Sequence, residues 1–241
     1  ETEIQFLEQL EDDLMWFAEF DQQMKEVAEI EVFEIKISDT MLKDRKENTF
    51  FDFFIKITEL THDFRENSLM IFFELEKVEA SAENLNNFIS AISRLNREVI
   101  NIIGMKVRCG GEYAAAFPEP ELLADLLHHC AIKDVPFKAT AGLHHPVRHF
   151  NNSVNTKMHG FLNVFGGALL AFKYKLPSQK IQEILEDENA SHFSFTSDLF
   201  NWSDLEISAK DIHHLRAERI FGFGSCSFDE PREDLKSLGI L

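Results

Sequence analysis

Strand-length apolar runs recurring at helix-length spacing constrain this chain more than any other feature. Residues 31–37 alternate as Glu31-Val32-Phe33-Glu34-Ile35-Lys36-Ile37, and residues 69–75, 102–107, 135–140, 192–196 and 220–224 are short, largely apolar stretches. Between them lie helix-length segments, over 47–62, 82–95, from Pro118 or Pro120 to 133, 159–174, and onward from Pro177. An amphipathic stretch over 3–29 carries Leu7, Leu10, Leu14, Phe17 and Met24 at helical spacing ahead of the first strand. Strands alternating with helices predict an α/β protein whose parallel strands are joined by right-handed crossovers. The expected form is a TIM-barrel-like or incomplete barrel, since closure at eight strands needs more than these runs supply. An open doubly wound sheet is the alternative, although neither GxGxxG nor GxxxxGK[ST] is present to mark a nucleotide fold.

At 241 residues the chain can bury one large core, so residues 1–241 are expected to form a single β/α domain. All ten glycines lie at or after Gly104 and all six prolines at or after Pro118. Residues 1–100 hold 24 acids against 10 Lys or Arg, whereas residues 101–241 hold 18 against 14. The first part therefore reads as an acidic, glycine-free scaffold and the second as the half carrying the site. The 24 phenylalanines, against two tyrosines and two tryptophans, are core material.

A formal charge of -18 excludes nucleic acid as a main partner, because phosphate backbones demand a basic surface or stripe. The longest apolar run, 160–172, is too short to span a bilayer, which needs about 20 residues. The acidic start Glu1-Thr2-Glu3-Ile4 has no signal-peptide character. Three cysteines, Cys109, Cys130 and Cys226, lack CxxC spacing, so a reducing cytoplasm is expected rather than a disulfide framework. A homo-oligomer is compatible with such a fold, and no residue pattern specifies its interface.

The densest chemistry lies in residues 137–148, where Lys138, Thr140, His144, His145 and Arg148 follow the fourth strand. No carboxylate occurs between Asp134 and Glu183. Ligands of parallel α/β folds bind at the carboxyl ends of strands. Lys106 and Arg108 share one face of the third strand, and Lys138 and Thr140 one face of the fourth. Buried cations without partners favour an anionic ligand, with Lys106, Arg108, Thr140 and Arg148 binding it. Glu34 or Glu74 from other strands would instead neutralise them.

Lys138 is the candidate nucleophile, its amine freed by desolvation and by a neighbouring cation such as Lys106, and His144 or His145 would shuttle protons. The turn at Gly224 and Ser225 could offer backbone N–H groups to an anion, while Asp229 or Glu230 would cap a final helix over 231–238. His144, His145, His149 and His159, with Cys109 or Cys226, raise the question of a metal. Their spacing matches no standard motif, so neither metal nor cofactor is expected. His128, His129, His213 and His214 fall on predicted helices and read as packing or solvated groups.

Several blocks together resemble a family of uncharacterised bacterial proteins: Lys106-Val107-Arg108-Cys109-Gly110-Gly111, Lys138-Ala139-Thr140-Ala141-Gly142-Leu143-His144-His145-Pro146, His159-Gly160-Phe161-Leu162-Asn163, and Phe223-Gly224-Ser225-Cys226-Ser227-Phe228-Asp229-Glu230-Pro231. That resemblance implies a common site and carries no reaction. Locally, Lys138-Ala139-Thr140-Ala141-Gly142-Leu143 is similar to the strand of deoxyribose-phosphate aldolase that bears its Schiff-base lysine. Lys106-Val107 lies about one βα unit upstream, as a Lys-Val pair does there. Where that family places a second lysine and a Gly-Gly phosphate loop, this chain has His192-Phe193-Ser194-Phe195-Thr196. The resemblance implies Schiff-base chemistry at Lys138.

The leading expectation is thus a lyase- or aldolase-like enzyme acting on a small anionic metabolite, phosphorylated or carboxylated and containing a carbonyl. The alternatives are a non-catalytic small-molecule binding protein and a metal-dependent hydrolase or isomerase built on the histidine loop.

Overall fold

The computed structural model describes residues 2–38, 41–42, 44–62, 69–76, 82–222, 227 and 229–240. The chain divides into two compact units, Glu1–Lys106 and Val107–Leu241. The boundary falls close to the compositional divide at residue 100.

The first unit opens with α1 (Glu3–Met24), started by a capping box in which Thr2 Oγ1 accepts from Gln5 N–H and Gln5 Oε1 accepts from Thr2 N–H. There follow β1 (Val32–Ile37), α2 (Glu47–Leu60), β2 (Met70–Leu75), α3 (Ala82–Leu95) and the start of β3 (Ile103–Arg108). Parallel pairing sets Ile35 beside Phe73 beside Met105, and Lys36 beside Glu74 beside Lys106. Residues paired in a parallel ladder point to the same side, so the sheet has one apolar face and one mixed face, on which Phe72 joins Glu34, Lys36, Glu74 and Lys106.

Sequential strands with right-handed crossovers place their helices on one face, and the phenylalanines show which. Phe54 of α2 stacks on Phe73 at 4.1 Å, Phe50 meets Phe88 of α3 edge-on at 5.0 Å, and Phe17 of α1 reaches Phe33 at 5.0 Å. Such pairs add about 0.5–1.5 kcal/mol each beyond area burial. Glu34, Lys36, Glu74 and Lys106 are left on the opposite face.

The second unit continues from the end of β3 into α4 (Pro120–Lys133), with proline in its first turn and left-handed Asp134 ending it at φ 57°. It then forms β4 (Phe137–Thr140), a hairpin of β5 (His149–Asn151) and β6 (Thr156–Met158), a π-helical turn (Leu162–Gly166), α5 (Gly167–Tyr174) and α6 (Ser178–Glu186). An antiparallel meander of β7 (Phe193–Phe195), β8 (Leu199–Trp202) and β9 (Leu205–Ser208) leads to α7 (Ala209–Glu218) and α8 (Glu230–Ser237).

The fold is α/β, with a four-stranded parallel sheet ordered β1-β2-β3-β4. That order has no reversal of the kind that opens the crevice of a doubly wound sheet, and no sheet closes on itself among the described residues. Two expected parallel strands turn out otherwise. Residues 192–196 contribute β7 to the meander, because the short turn from Thr196 to Leu199 returns the chain antiparallel, whereas a parallel partner needs a crossover of a dozen residues or more. Residues 220–224 contribute a single parallel bridge, Ile220 to Phe137, and Phe223 and Gly224 lie outside the described residues. Among the described residues no helix is long and apolar enough to cross a membrane.

Candidate active site

The ends of β3 and β4 are tied by Cys109 N–H donating to Thr140 O at 2.8 Å, and two loops leave from there in backbone contact. Gly142 has φ +69°, and a Cβ on it would stand 2.8 Å from Cys109 O and 2.9 Å from Gly110 Cα. A Cβ on Gly110 would meet the Phe117 ring at 2.6 Å. Only glycine admits so close a crossing. Ala141 just before it is also left-handed, at φ 62°, a conformation costing an alanine about 1 kcal/mol. The sharp turn made by these two residues delivers His144 and His145 beyond the strand end.

His145 Nδ1–H donates to Asp234 Oδ2 on α8, and the neighbouring His144 Nδ1 stands 3.8 Å from Glu230 Oε2 on the same helix. Glu230 and Asp234 are four residues apart and so share one face of α8. The His145 side chain is 31% exposed, and among the described residues nothing hydrogen-bonds its Nε2. Its ring stands edge-on to that of His149 at 4.2 Å. His149 Nδ1 hydrogen-bonds Val147 O at 3.2 Å, which leaves Nε2 as a bare acceptor, buried and without a partner among the described residues. Burial first, and then the neighbouring His145, hold His149 below the usual imidazole range, so it stays neutral.

Arg148 is fixed by its backbone N–H, which donates to Asn163 Oδ1 at 2.8 Å. Asn163 is fully buried and donates onward to Ile184 O and Asp187 O at 2.7 and 2.8 Å, pinning the loop to the end of α6. The Arg148 guanidinium reaches His159 Nδ1 at 3.4 Å. His159 is fully buried, its Nε2–H donates to Pro118 O at 2.7 Å, and Nδ1 is therefore the acceptor. Burial lowers the His159 pKa to about 4, the Pro118 hydrogen bond opposing and the Arg148 charge assisting. Arg148 is thus a half-buried guanidinium whose one side-chain hydrogen bond is to a neutral imidazole, with no carboxylate in ion-pair contact among the described residues. Burial pulls its own pKa down, although a guanidinium remains charged.

Lys138 and Thr140 occupy the half-buried face of β4, opposite buried Phe137 and Ala139, as their alternation implies. Thr140 Oγ1 is buried and unpartnered among the described residues. Arg108 is exposed at the end of β3. Gly224, Ser225 and Cys226 lie outside the described residues.

Lys106, expected to bind an anion, has other company within the first unit. Its Nζ lies 2.7 Å from both Glu34 Oε2 and Glu74 Oε2, so the nearest carboxylates already neutralise it. Burial opposes its charge, but the hydrogen bonds and fields of Glu34 and Glu74 outweigh that and hold the ammonium above its ordinary range. A lysine so held is not a free amine at neutral pH, and it presents no surplus charge to a ligand.

Among the described residues no group of three or more His, Cys, Asp or Glu side chains is arranged to hold a metal. Both nitrogens of His159 are engaged. Burial pushes the Cys109 thiol up to about 12 and the Cys130 thiol higher still, so neither is a ready thiolate. His128 hydrogen-bonds Leu176 O from α4, and His213 and His214 are exposed on α7, as packing and solvated roles require.

Sequence reasoning missed Asp234 and Asn163. The spacing of Glu230 and Asp234 along the last helix was the available signal for the first; Asn163, inside an apolar run, was the signal for the second. Compared with protein-family models, with curated proteins and with solved structures, the chain matches none.

Proposed function

We propose that the Val107–Leu241 unit carries the active site of an enzyme acting on a small anionic, carbonyl-containing or phosphorylated metabolite. His145, oriented by Asp234, is the acid–base group, and Arg148, on the same loop, anchors the anion. The observation that carries this reading is His145 itself. A carboxylate holds Nδ1–H, fixing tautomer and ring orientation, while among the described residues nothing bonds Nε2, on a partly exposed side chain. That is the arrangement general acid–base catalysis requires. Arg148 supports the anionic substrate, since among the described residues no carboxylate is in ion-pair contact with it and Glu188, Glu186 and Glu119 act on its charge only from further off. Among the described residues Thr140 Oγ1 and His149 Nε2 are buried polar atoms left unsatisfied nearby in the chain.

Lys138 is the nucleophile in the Schiff-base version of this proposal, which the local likeness to deoxyribose-phosphate aldolase favours. The four parallel strands would then form an arc of a barrel-like fold, and the two buried thiols fit a reducing, cytoplasmic setting. Incubation with aldehydes and keto acids under borohydride should leave an adduct on Lys138 visible by peptide mass spectrometry. A broad panel without an adduct removes the Schiff-base version and leaves acid–base catalysis by His145.

The same orphaned groups favour a second reading, a binding protein without turnover. In that case Arg148→Met weakens binding of an anionic metabolite that the protein never converts.

A further inference from the structure

Beside Phe137 of β4 the second unit contains a cavity of about 240 Å³. Phe161, Phe165, Leu169, Phe200 and Ile212 form its walls, and among the described residues the only charged side chain lining it is Arg216. One wall is the π-helical turn Leu162–Gly166. Such wide turns are rare and frequently occur at functional sites. Gly166 lets the tip of the Phe200 ring approach this turn closely, since a Cβ there would be 2.6 Å from Phe200 Cζ. Apolar pockets accept apolar molecules; an enclosed one of about 150 Å³ holds benzene. The larger space here suits a chain of roughly eight to ten carbons on that scale.

Arg216 specifies the end group. On α7 and its C-terminus Asp211 pairs with Lys173 at 2.8 Å, Glu218 with His214 at 3.2 Å and Arg219 with Asp134 at 2.7 Å, whereas Lys210 and Arg216 pair with no described residue, and of these two only Arg216 lines the cavity. Arg216 has no hydrogen bond or ion pair to any described residue, in a chain with 42 acids. It also lines the shallower groove over Thr196 and Leu199, together with Phe195 and Ile212, so it stands where the cavity opens outward. A guanidinium at the mouth of an apolar pocket matches a carboxylate through paired N–H donors.

We propose that this cavity binds a medium-chain monocarboxylate, its hydrocarbon between Phe165 and Phe200 and its carboxylate on Arg216. The site does not depend on the catalytic reading of His145. Its wall is nevertheless tied to the histidine loop, because Phe161 N–H donates to His145 O and Leu162 N–H to Pro146 O, each at 2.9 Å.

Isothermal titration with decanoate, decanol and acetate, below micellar concentrations, tests the proposal on the full chain. Decanoate should bind with a stoichiometry of one and acetate should not bind. Arg216→Gln should weaken decanoate about ten- to a hundredfold while leaving decanol unchanged, the loss expected for one charge-assisted contact. Leu169→Trp, which fills the cavity, should abolish binding of both. If that variant does not fold, Ile212→Trp fills the same space from half-exposed α7. Absence of saturable decanoate binding, or equal decanoate affinity in wild type, Arg216→Gln and the filled variant, would overturn the assignment.

Discussion

Asp234 accepts a hydrogen bond from His145 Nδ1–H and so joins the last helix to the loop that leaves β4. One turn earlier on the same helix, Glu230 faces His144 across 3.8 Å. Two carboxylates on one helical face thus meet two consecutive histidines, and the ring nitrogen of His145 left unbonded is the one available for proton transfer. Replacing Asp234 by Asn or Ala should release the ring. Long-range ¹H–¹⁵N correlation spectra should show a single Nδ1–H tautomer of neutral His145 in the wild type and a tautomer mixture in Asp234→Ala. Turnover of any substrate should fall about a hundredfold or more in Asp234→Asn, as for other carboxylate-oriented histidines.

Lys106 and its two carboxylates predict an asymmetric response. Glu74 is buried, so Glu74→Ala leaves the ammonium short of a desolvated partner and should cost about 3 kcal/mol in urea denaturation. Glu34 has a side chain 34% exposed, and water screens its pair, so Glu34→Ala should cost about 1 kcal/mol or less. The pair also fixes a sign at alkaline pH. The folded pKa of Lys106 is raised, so its stabilisation is complete below the unfolded lysine value of about 10.4 and fades as pH rises through the higher folded value.

His159 gives the opposite window. Its folded pKa is depressed to about 4, so between the unfolded value of about 6.5 and that point the unfolded chain takes up a proton that the folded one refuses. Stability should therefore drop by about 3 kcal/mol as pH falls through that range, from this group alone. Comparing urea midpoints of wild type and His159→Gln between pH 7 and pH 4.5 isolates the effect. The variant, unable to titrate, should show the shallower decline.

The turn after β4 makes a steric prediction. Gly142→Ala combines a left-handed φ with contacts below 3 Å to Cys109 O and Gly110 Cα, and should destabilise by about 2–3 kcal/mol. Gly222→Ala meets nothing within 4 Å among the described residues and should be close to neutral, and Ala141→Gly, which relieves a left-handed alanine, should stabilise by up to about 1 kcal/mol. Thermal melts of the three variants check the order.

The parallel strands were legible because each buried run stands between helices of clear period. Phe33, Ile35 and Ile37 alternate with charges, and β2 is apolar almost throughout. The meander was not, although β8 alternates Leu199-Phe200-Asn201-Trp202 with Phe200 and Trp202 buried; three- and four-residue strands leave too short a period to separate from helix. At the site, the residues of the loop itself could be named from their density. Their partners were legible only in part. Glu34 and Glu74 could be named as the acids that neutralise Lys106, because they lie on the preceding strands, whereas Asp234 reaches His145 only because α8 docks on the loop.

The central claim is that His145 performs proton transfer on an anion held by Arg148. The most direct measurement is turnover of a panel of phosphorylated and carboxylated aldehydes, ketones and keto acids by wild type, His145→Gln and Arg148→Met. The account predicts at least one substrate whose kcat falls by about a hundredfold or more in His145→Gln, and whose KM rises tenfold or more in Arg148→Met. Turnover by His145→Gln equal to that of the wild type would contradict it.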